Sequence, residues 1–230
     1  MTVLVRKAGM SETYAAASRT TPSRSAQRVG YDRDAVHRVL DEALLCHVGF
    51  VVDGDPVVLP QLHARLGDRL YLHGSTGARA MRQAREGGLK VCVTVTLVDG
   101  LVLARSAFHH SVNFRSVVAH GLAVPVDGVD EKSRALAVLV DAVVPGRSAA
   151  SRAASRKELA ATTVLRLELV EVSLKVRTGP PLDDPEDMEL PHWAGVLPLV
   201  TSAGVPQPDP GALDAVEVPD HVTHWTRARL

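Results

Sequence analysis

Gly100-Leu101-Val102-Leu103-Ala104-Arg105-Ser106-Ala107-Phe108-His109-His110-Ser111-Val112-Asn113-Phe114-Arg115-Ser116 is the stretch that decides the fold. Between two apolar runs it packs two arginines, two histidines, three serines and an asparagine. Such a density of donors is uncommon for a connector between strands and suits an anionic or heteroaromatic ligand. The His109-His110 pair invites a metal reading. Neighbours on a strand point to opposite faces, however, so the two would not both ligate easily, and no metal is expected from protein ligands alone. No Ser-His-acid arrangement is asserted, because a triad is recognised by geometry.

Working outward, Leu89 to Val98 reads as a long β-branched strand. Asp99-Gly100 then predicts a hairpin turn into a second strand from Leu101. Phe114 to Pro125 reads as a further strand. Upstream, Tyr31 to Leu44 has helical spacing of Ala35, Val36, Val39, Leu40 and Ala43, with Asp32 or Asp34 as its cap. Leu45 to Val52, Asp53-Gly54-Asp55 and Pro56 to Pro60 read as a hairpin. Arg69 to His73 is a short strand, Ala78 to Glu86 a helix stopped by Gly87-Gly88. Downstream, Asp130 to Val143 is a helix, Ser151 to Ala161 has helical character, and Thr162 to Val176 reads as one long strand. From Thr178 onward Pro, Gly and Asp dominate, so the remainder reads as loop.

Several antiparallel hairpins with three or four helices predict a mainly β, α+β fold: a small split β-barrel of six or so antiparallel strands with peripheral helices. A doubly wound sheet is disfavoured, because no GxGxxG follows a strand. Residues 31–222 are expected to form the domain, with a loop-rich C-terminal extension. Residues 1–30, Arg/Ser/Thr-rich, read as a disordered tail, and 223–230 as a second tail.

Hydrophobic residues make up 46% of the chain but aromatics only 3%, so the core must be aliphatic and each aromatic is worth questioning. Lys plus Arg (26) equals Asp plus Glu (26), which leaves no global positive field for nucleic acid or an anionic membrane. Neither is an expected partner. No run of about 18 apolar residues predicts a span, and the N-terminus lacks a signal-peptide core. Cys46 and Cys92 sit among aliphatics and read as reduced thiols, which points to the cytoplasm.

Three further constellations carry chemistry. His73-Gly74-Ser75-Thr76-Gly77-Ala78-Arg79, continuing to Arg82, joins a strand to a helix. Hydroxyls and amides there can hold a phosphate, and Arg79 and Arg82 share a helix face. An ordinary capped helix with surface arginines would carry the same residues. Lys175 to Asp184 runs a cationic strand end into Pro180-Pro181. Trp193, within Pro191 to Pro198, would lie over a flat ligand or plug the barrel end.

These segments, in this order, resemble the pyridoxamine 5'-phosphate oxidase-like superfamily, in the flavin-nucleotide-binding branch related to nitroimidazole-resistance (Nim) proteins. The matching stretches are His73 to Ser75, Asp99 to Ser111, Asn113 to Val118, Pro145 to Arg147, Lys157 to Ala160, Lys175 to Pro181 and Trp193 to Val196. The resemblance implies an FMN-binding homodimer with cofactor at the subunit interface, acting as an oxidoreductase on a small organic substrate. It implies cofactor contacts from His73, Gly74, Ser75, Arg79, Arg82, Arg105, Ser111, Asn113, Arg115, Lys175 and Trp193. Within that set Ser75, Arg79 and Arg82 would hold phosphate, and Arg105, Asn113 and Arg115 would face the ribityl chain or the partner subunit. His73 or His110 would donate a proton to the reduced substrate.

Haem on the same barrel is the alternative, with His73, His109 or His110 as axial ligand. A flavin-binding module without turnover is the other. The sequence departs from the family in three places. Gly77 to Arg82 lacks two consecutive basic residues, Phe114 stands where tyrosine is common, and Ser148 to Arg156 lacks prolines. The C-terminal Arg-x-His pattern of true pyridoxamine-phosphate oxidases is not found, so that activity is not expected.

Overall fold

The computed structural model describes residues 12–211 and 216–226. Its strands are β1 (Val29–Gly30), β2 (Leu45–Val52), β3 (Asp55–Leu66), β4 (Arg69–Ser75), β5 (Leu89–Leu103), β6 (Ser111–Pro125), β7 (Thr162–Glu168), β8 (Glu171–Arg177) and β9 (Gly195–Pro198). The α-helices are α1 (Arg33–Glu42), α2 (Arg79–Arg85), α3 (Val129–Val143), α4 (Arg156–Ala161) and α5 (Asp220–Thr223).

The pairings run in a ring. β5 pairs β2, β2 pairs β3, β3 pairs β4, β4 pairs β7, β7 pairs β6, and β6 returns to β5, all antiparallel. Two joints of this ring are short. β2 meets β5 over three residue pairs, and β6 meets β7 over two, Val124 with Arg166 and Pro125 with Leu165. β3 meets β4 over four pairs and the remaining joints are longer, which is the shape of a split barrel. β8 and then β1 extend the sheet from β6, and β9 extends it from β5. The mainly β architecture expected from sequence is the one observed, with nine strands among the described residues.

The core is aliphatic, as the low aromatic content requires. Leu70, Leu72, Val93, Val95, Val117, Leu165, Leu167 and Val172 fill the barrel, and α1 adds Val36, Val39 and Leu40. Asp32 caps α1 by accepting from the Ala35 amide at 2.7 Å. A smaller cluster outside the ring joins Tyr71 and Val164 to Val126 and to Ala135 of α3. At the β2–β3 turn Asp53 and Gly54 both have positive φ, 53° and 91°, the geometry that a tight two-residue hairpin demands.

Four expectations are corrected. Residues 12–30 are no free tail. Tyr14 is buried in the core, its amide bonds to the Tyr31 carbonyl, and β1 adds an edge to β8; residues 1–11 lie outside the described residues. Asp99-Gly100 is no hairpin turn. β5 runs on to Leu103, and its register against β6 shifts between Val98 and Gly100, a β-bulge. The bulge frees the Asp99 carboxylate to accept twice from Arg115, at 2.7 and 2.9 Å. The predicted strand Thr162 to Val176 is two strands, because β7 pairs β4 whereas β8 pairs β6. Leu169 turns the chain between them, its amide bonding to the Asp68 carbonyl at 2.8 Å. At the C-terminus Pro219 to Trp225 is ordered on the domain, and the Trp225 indole donates to the Val143 carbonyl at 2.8 Å; residues 227–230 lie outside the described residues.

Candidate functional site

The β4–loop–α2 segment is built by strand alternation. Leu70 and Leu72 face the core, so Tyr71, His73 and Ser75 face the other way. His73 pairs with Val164 in register and is half-buried, and its Nδ1 is buried with no hydrogen-bond partner. Burial lowers its pKa, so the imidazole is neutral at neutral pH. Gly74 lets Met81 pack close, since a Cβ there would stand 2.8 Å from the Met81 Cε and the methionine end would have to move. The loop is stitched to the end of α4, with the Thr76 amide and hydroxyl both donating to the Ala161 carbonyl at 2.9 and 3.0 Å. Ser75 Oγ accepts from the Gly77 amide at 3.3 Å.

Arg79 and Arg82 stand exposed on α2. Arg79 comes only to 3.9 Å from the equally exposed Asp53, a contact of little worth. Both cations are therefore open to an anion. Arg85, one turn further on, donates to Thr163 Oγ1 at 2.9 Å. It lines a cleft of about 750 Å³ together with Thr76, Asp127, Lys132 and the Val124-Pro125 edge of β6. The sequence reading missed Arg85 and Lys132. The i, i+3, i+6 spacing of Arg79, Arg82 and Arg85 was the available signal for the first; nothing local marked the second.

The second segment, Arg105 to Arg115, lies at the opposite end of β6 from that cleft, about 30 Å along the strand. Its charged groups are mostly satisfied within the chain. The Arg105 amide and guanidinium both bind Asp183, at 2.8 and 3.0 Å, and the Ser106 amide adds a third contact at 3.4 Å. Arg115 lies between Asp99 and Glu42. Hydrogen bonds to those two carboxylates raise its pKa further. Asn113 is buried, donating to the Gly179 carbonyl at 3.2 Å and accepting from Arg177. The expectation that Arg105, Asn113 and Arg115 face the ribityl chain thus meets groups already engaged by the chain itself. A local reading of the sequence could not find their partners, which lie up to 78 residues away.

The histidines of this block diverge. His109 Nε2 lies 3.1 Å from the Asp184 carboxylate, and with Asp187 these ligand atoms sit within 4.8 Å of one another. His110 Nδ1 lies 3.0 Å from the Ser106 carbonyl oxygen. A carbonyl only accepts, so Nδ1 carries a proton, and in the neutral ring Nε2 is then the acceptor. Ser111 pairs with Val102 at the start of β6, and Lys175 is exposed on β8 opposite Ser116. Trp193 is 69% exposed and lies over Gly195, where a Cβ would meet its ring at 2.8 Å. The structure brings Arg105, His109, His110, Asn113 and Arg115 together at one end. It keeps His73, Gly74, Ser75, Arg79 and Arg82 at another.

A family profile described as pyridoxamine 5'-phosphate oxidase matches residues 32–176, most of the chain. The chain belongs to the pyridoxamine 5'-phosphate oxidase family. Two solved structures are similar to this family member over nearly their whole length. The flavocytochrome Anf3 from Azotobacter vinelandii is 41% identical, with 90% of this chain and 95% of that one covered and a TM-score of 0.83. The FAD and heme binding protein from Mycobacterium smegmatis is 39% identical, with 85% and 95% covered and a TM-score of 0.80. A search of curated proteins finds no match. The profile match spans the barrel from α1 to β8, and thus both segments described above. No helix of the described residues is long and apolar enough to cross a membrane.

Proposed function

We propose that this member of the pyridoxamine 5'-phosphate oxidase family binds both a flavin and a haem, and works as an oxidoreductase on a small organic substrate. His110 carries the reading. Its Nδ1–H is anchored on the Ser106 carbonyl and its Nε2 has no described partner, the tautomer and anchoring that a metal-bound imidazole needs. His73 is the second candidate, held neutral by burial and with an unpartnered Nδ1. His109 fits less well, because its Nε2 already faces Asp184. Likeness to a flavocytochrome and to a FAD and heme binding protein, each near 40% identical, supports the same pairing.

Ser75, Arg79 and Arg82 would hold the flavin phosphate. The family resemblance implies FMN; the Mycobacterium smegmatis relative is described as binding FAD. The two flavins share the isoalloxazine, the ribityl chain and the first phosphate, which is the part this strand–loop–helix would meet. When bound, the flavin supplies hydride or electron-pair transfer and the haem iron one-electron transfer. The chain's own residues supply cations for phosphate, an imidazole for iron and the exposed Trp193 ring as a stacking face.

A homodimer is part of the proposal. Val112, Leu101 and Leu197 form a row across β6, β5 and β9 in register, and all three are exposed. Val51 and Val58 add apolar surface on β2 and β3 at 53% and 63% exposure. Free Cys46 and Cys92 support a reducing compartment, the cytoplasm.

The test is an absorbance spectrum of the purified protein with added FMN, FAD and hemin in turn. Flavin bands and a shifted Soret band are expected, with the Soret shift lost in His110→Ala or His73→Ala. A protein that takes up no flavin and no hemin overturns the proposal. Flavin bands without any hemin binding overturn its haem half.

A further inference from the structure

We infer that the pocket between the 3-10 turn Ala26–Arg28 and the chain leaving β8 binds a small oxyanion, a carboxylate or a phosphate, held between the guanidinium groups of Arg28 and Arg177. This inference uses neither the flavin nor the haem of the reading above.

Arg177 carries it. Among the described residues it is the one arginine that is buried, at 6% exposure. A guanidinium cannot shed its charge in a protein, so a buried one calls for an opposite charge. Arginines that are more exposed have one here: Arg33 meets Asp68, Arg105 meets Asp183, and Arg115 meets Glu42 and Asp99. Arg177 meets neutral acceptors instead. Its Nη1 donates to Asn113 Oδ1 and to the Gly179 carbonyl at 2.9 Å, and its Nη2 donates to the Pro180 carbonyl at 3.0 Å. These bonds fix the plane of the guanidinium and leave its charge uncancelled. The Nε–H and one Nη2–H have no described partner. The charged group that faces Arg177 is a second cation, Arg28, and it adds to burial in lowering the Arg177 pKa.

The fold holds the two like charges in place. β1 pairs with β8 through Val29 and Lys175, so Arg28, one residue earlier, stands beside the strand that carries Arg177. Ser25 enters the Arg28 turn at a φ of 56°, in the left-handed region that serine rarely adopts. Gly179, at a φ of 105°, turns the chain back so that two carbonyls reach Arg177. No carboxylate lines the pocket. Thr178 adds a hydroxyl, and Val176, Pro180 and Leu182 form an apolar flank. The pocket volume, about 250 Å³, lies below the range of drug-sized ligand sites. It suits an oxyanion on a body of a few carbons, not a flavin or a porphyrin. Two guanidiniums then supply the charge-assisted bonds.

The experiment titrates the full chain with butyrate and with inorganic phosphate, in chloride buffer at constant ionic strength, by calorimetry and melting temperature. It compares the natural chain with Arg28→Gln, Arg28→Glu and Arg24→Gln. Arg24 is exposed and lies outside the lining, so its variant controls for net charge. At least one probe is expected to bind and raise the melting temperature, and the tighter of the two identifies the headgroup. Arg28→Gln is expected to weaken that probe about tenfold. Arg28→Glu should abolish binding, and Arg24→Gln should leave it unchanged. Without probe, Arg28→Gln is expected to keep or raise the melting temperature, because it removes a like charge beside Arg177; a merely structural Arg28 would lower it. Prior saturation with FMN, FAD or hemin should leave the probe's affinity unchanged. Binding of neither probe at about 10 mM, or binding indifferent to the Arg28 variants, overturns the inference. Loss of probe binding on cofactor loading also overturns it, by making the pocket part of the cofactor site. Uptake of flavin and hemin is read from their own absorbance, so the two readings fail independently.

Discussion

Arg105 holds Asp183 by two groups at once: its backbone amide reaches Oδ1 at 2.8 Å and its guanidinium reaches Oδ2 at 3.0 Å. The two residues belong to different loops, and the clasp sets the loop carrying His109 and His110 against the chain that leaves β8. The Asp183 side chain is 1% exposed. Asp183→Ala is therefore expected to lower the urea midpoint without altering the slope, since it removes native contacts and not compactness. It is also expected to weaken hemin binding through His110, read from the Soret titration. Asp183→Asn keeps an acceptor and should fall between the two.

Tyr14 ties the N-terminal segment to the barrel. Its hydroxyl donates to Asp68 at 2.9 Å, and the Arg33 guanidinium lies 4.1 Å above its ring. Tyr14→Phe should cost about 1 kcal/mol, the net worth of one hydrogen bond. Tyr14→Ala should cost about 3–5 kcal/mol, because it opens a cavity in the core. Chemical denaturation of both variants checks the ratio. Equal and negligible losses would mean that residues 12–30 do not pack.

Acid should destabilise the protein well before its carboxylates titrate. Burial lowers the pKa of His63 below its ordinary value, with the Leu40 carbonyl and Asp41 opposing more weakly. The folded state thus holds His63 neutral while the unfolded chain protonates it near pH 6.5. The folded pKa is the lower one, so its contribution is full above pH 6.5 and is lost as pH falls through the folded value. His73 and His37 are shifted the same way, burial being the leading cause in each. Melting temperature should fall from pH 7.5 to pH 5, and His63→Leu should make that fall shallower.

Arg79 and Arg82 are exposed cations of α2 that no strong ion pair occupies. Arg79→Ala and Arg82→Ala are each expected to weaken FMN and FAD alike, by up to about tenfold, from loss of a charge-assisted contact to the shared phosphate. Melting temperature should not move, because both side chains are exposed. Flavin fluorescence quenching gives the affinities. An effect on FAD alone would shift the phosphate contact from the first phosphate to the second.

Much of the fold was legible where a local rule has one solution. Asp32 or Asp34 before an apolar 3.6-residue repeat predicted a capped helix, of which Asp32 is the cap, and Asp53-Gly54 between two apolar runs turned as expected. Asp99-Gly100 carries the same dipeptide signal, yet strand β5 continues, because Arg115 sixteen residues on captures the carboxylate. No dipeptide rule contains that partner. The break between β7 and β8 was invisible for a similar reason: Leu169-Val170 has neither Gly nor Pro, and only the choice of neighbouring strands separates the two halves. The residue types of the site were legible. Which of its arginines remain free was not, since that depends on Asp183 and Glu42, distant in the chain.

The two tryptophans offer a consequence of a different kind. Trp225 is half-buried and hydrogen-bonded to the end of α3, whereas Trp193 stands in solvent on the β9 side. Their emission should separate into a bluer and a redder component. The redder one comes from the ring over Gly195, which pairs with Leu103 at the end of β5, and a flavin or porphyrin absorbs in that range. Loss of the red component alone would then be an optical gauge of occupancy, while the blue one keeps time on the docking of the C-terminal segment.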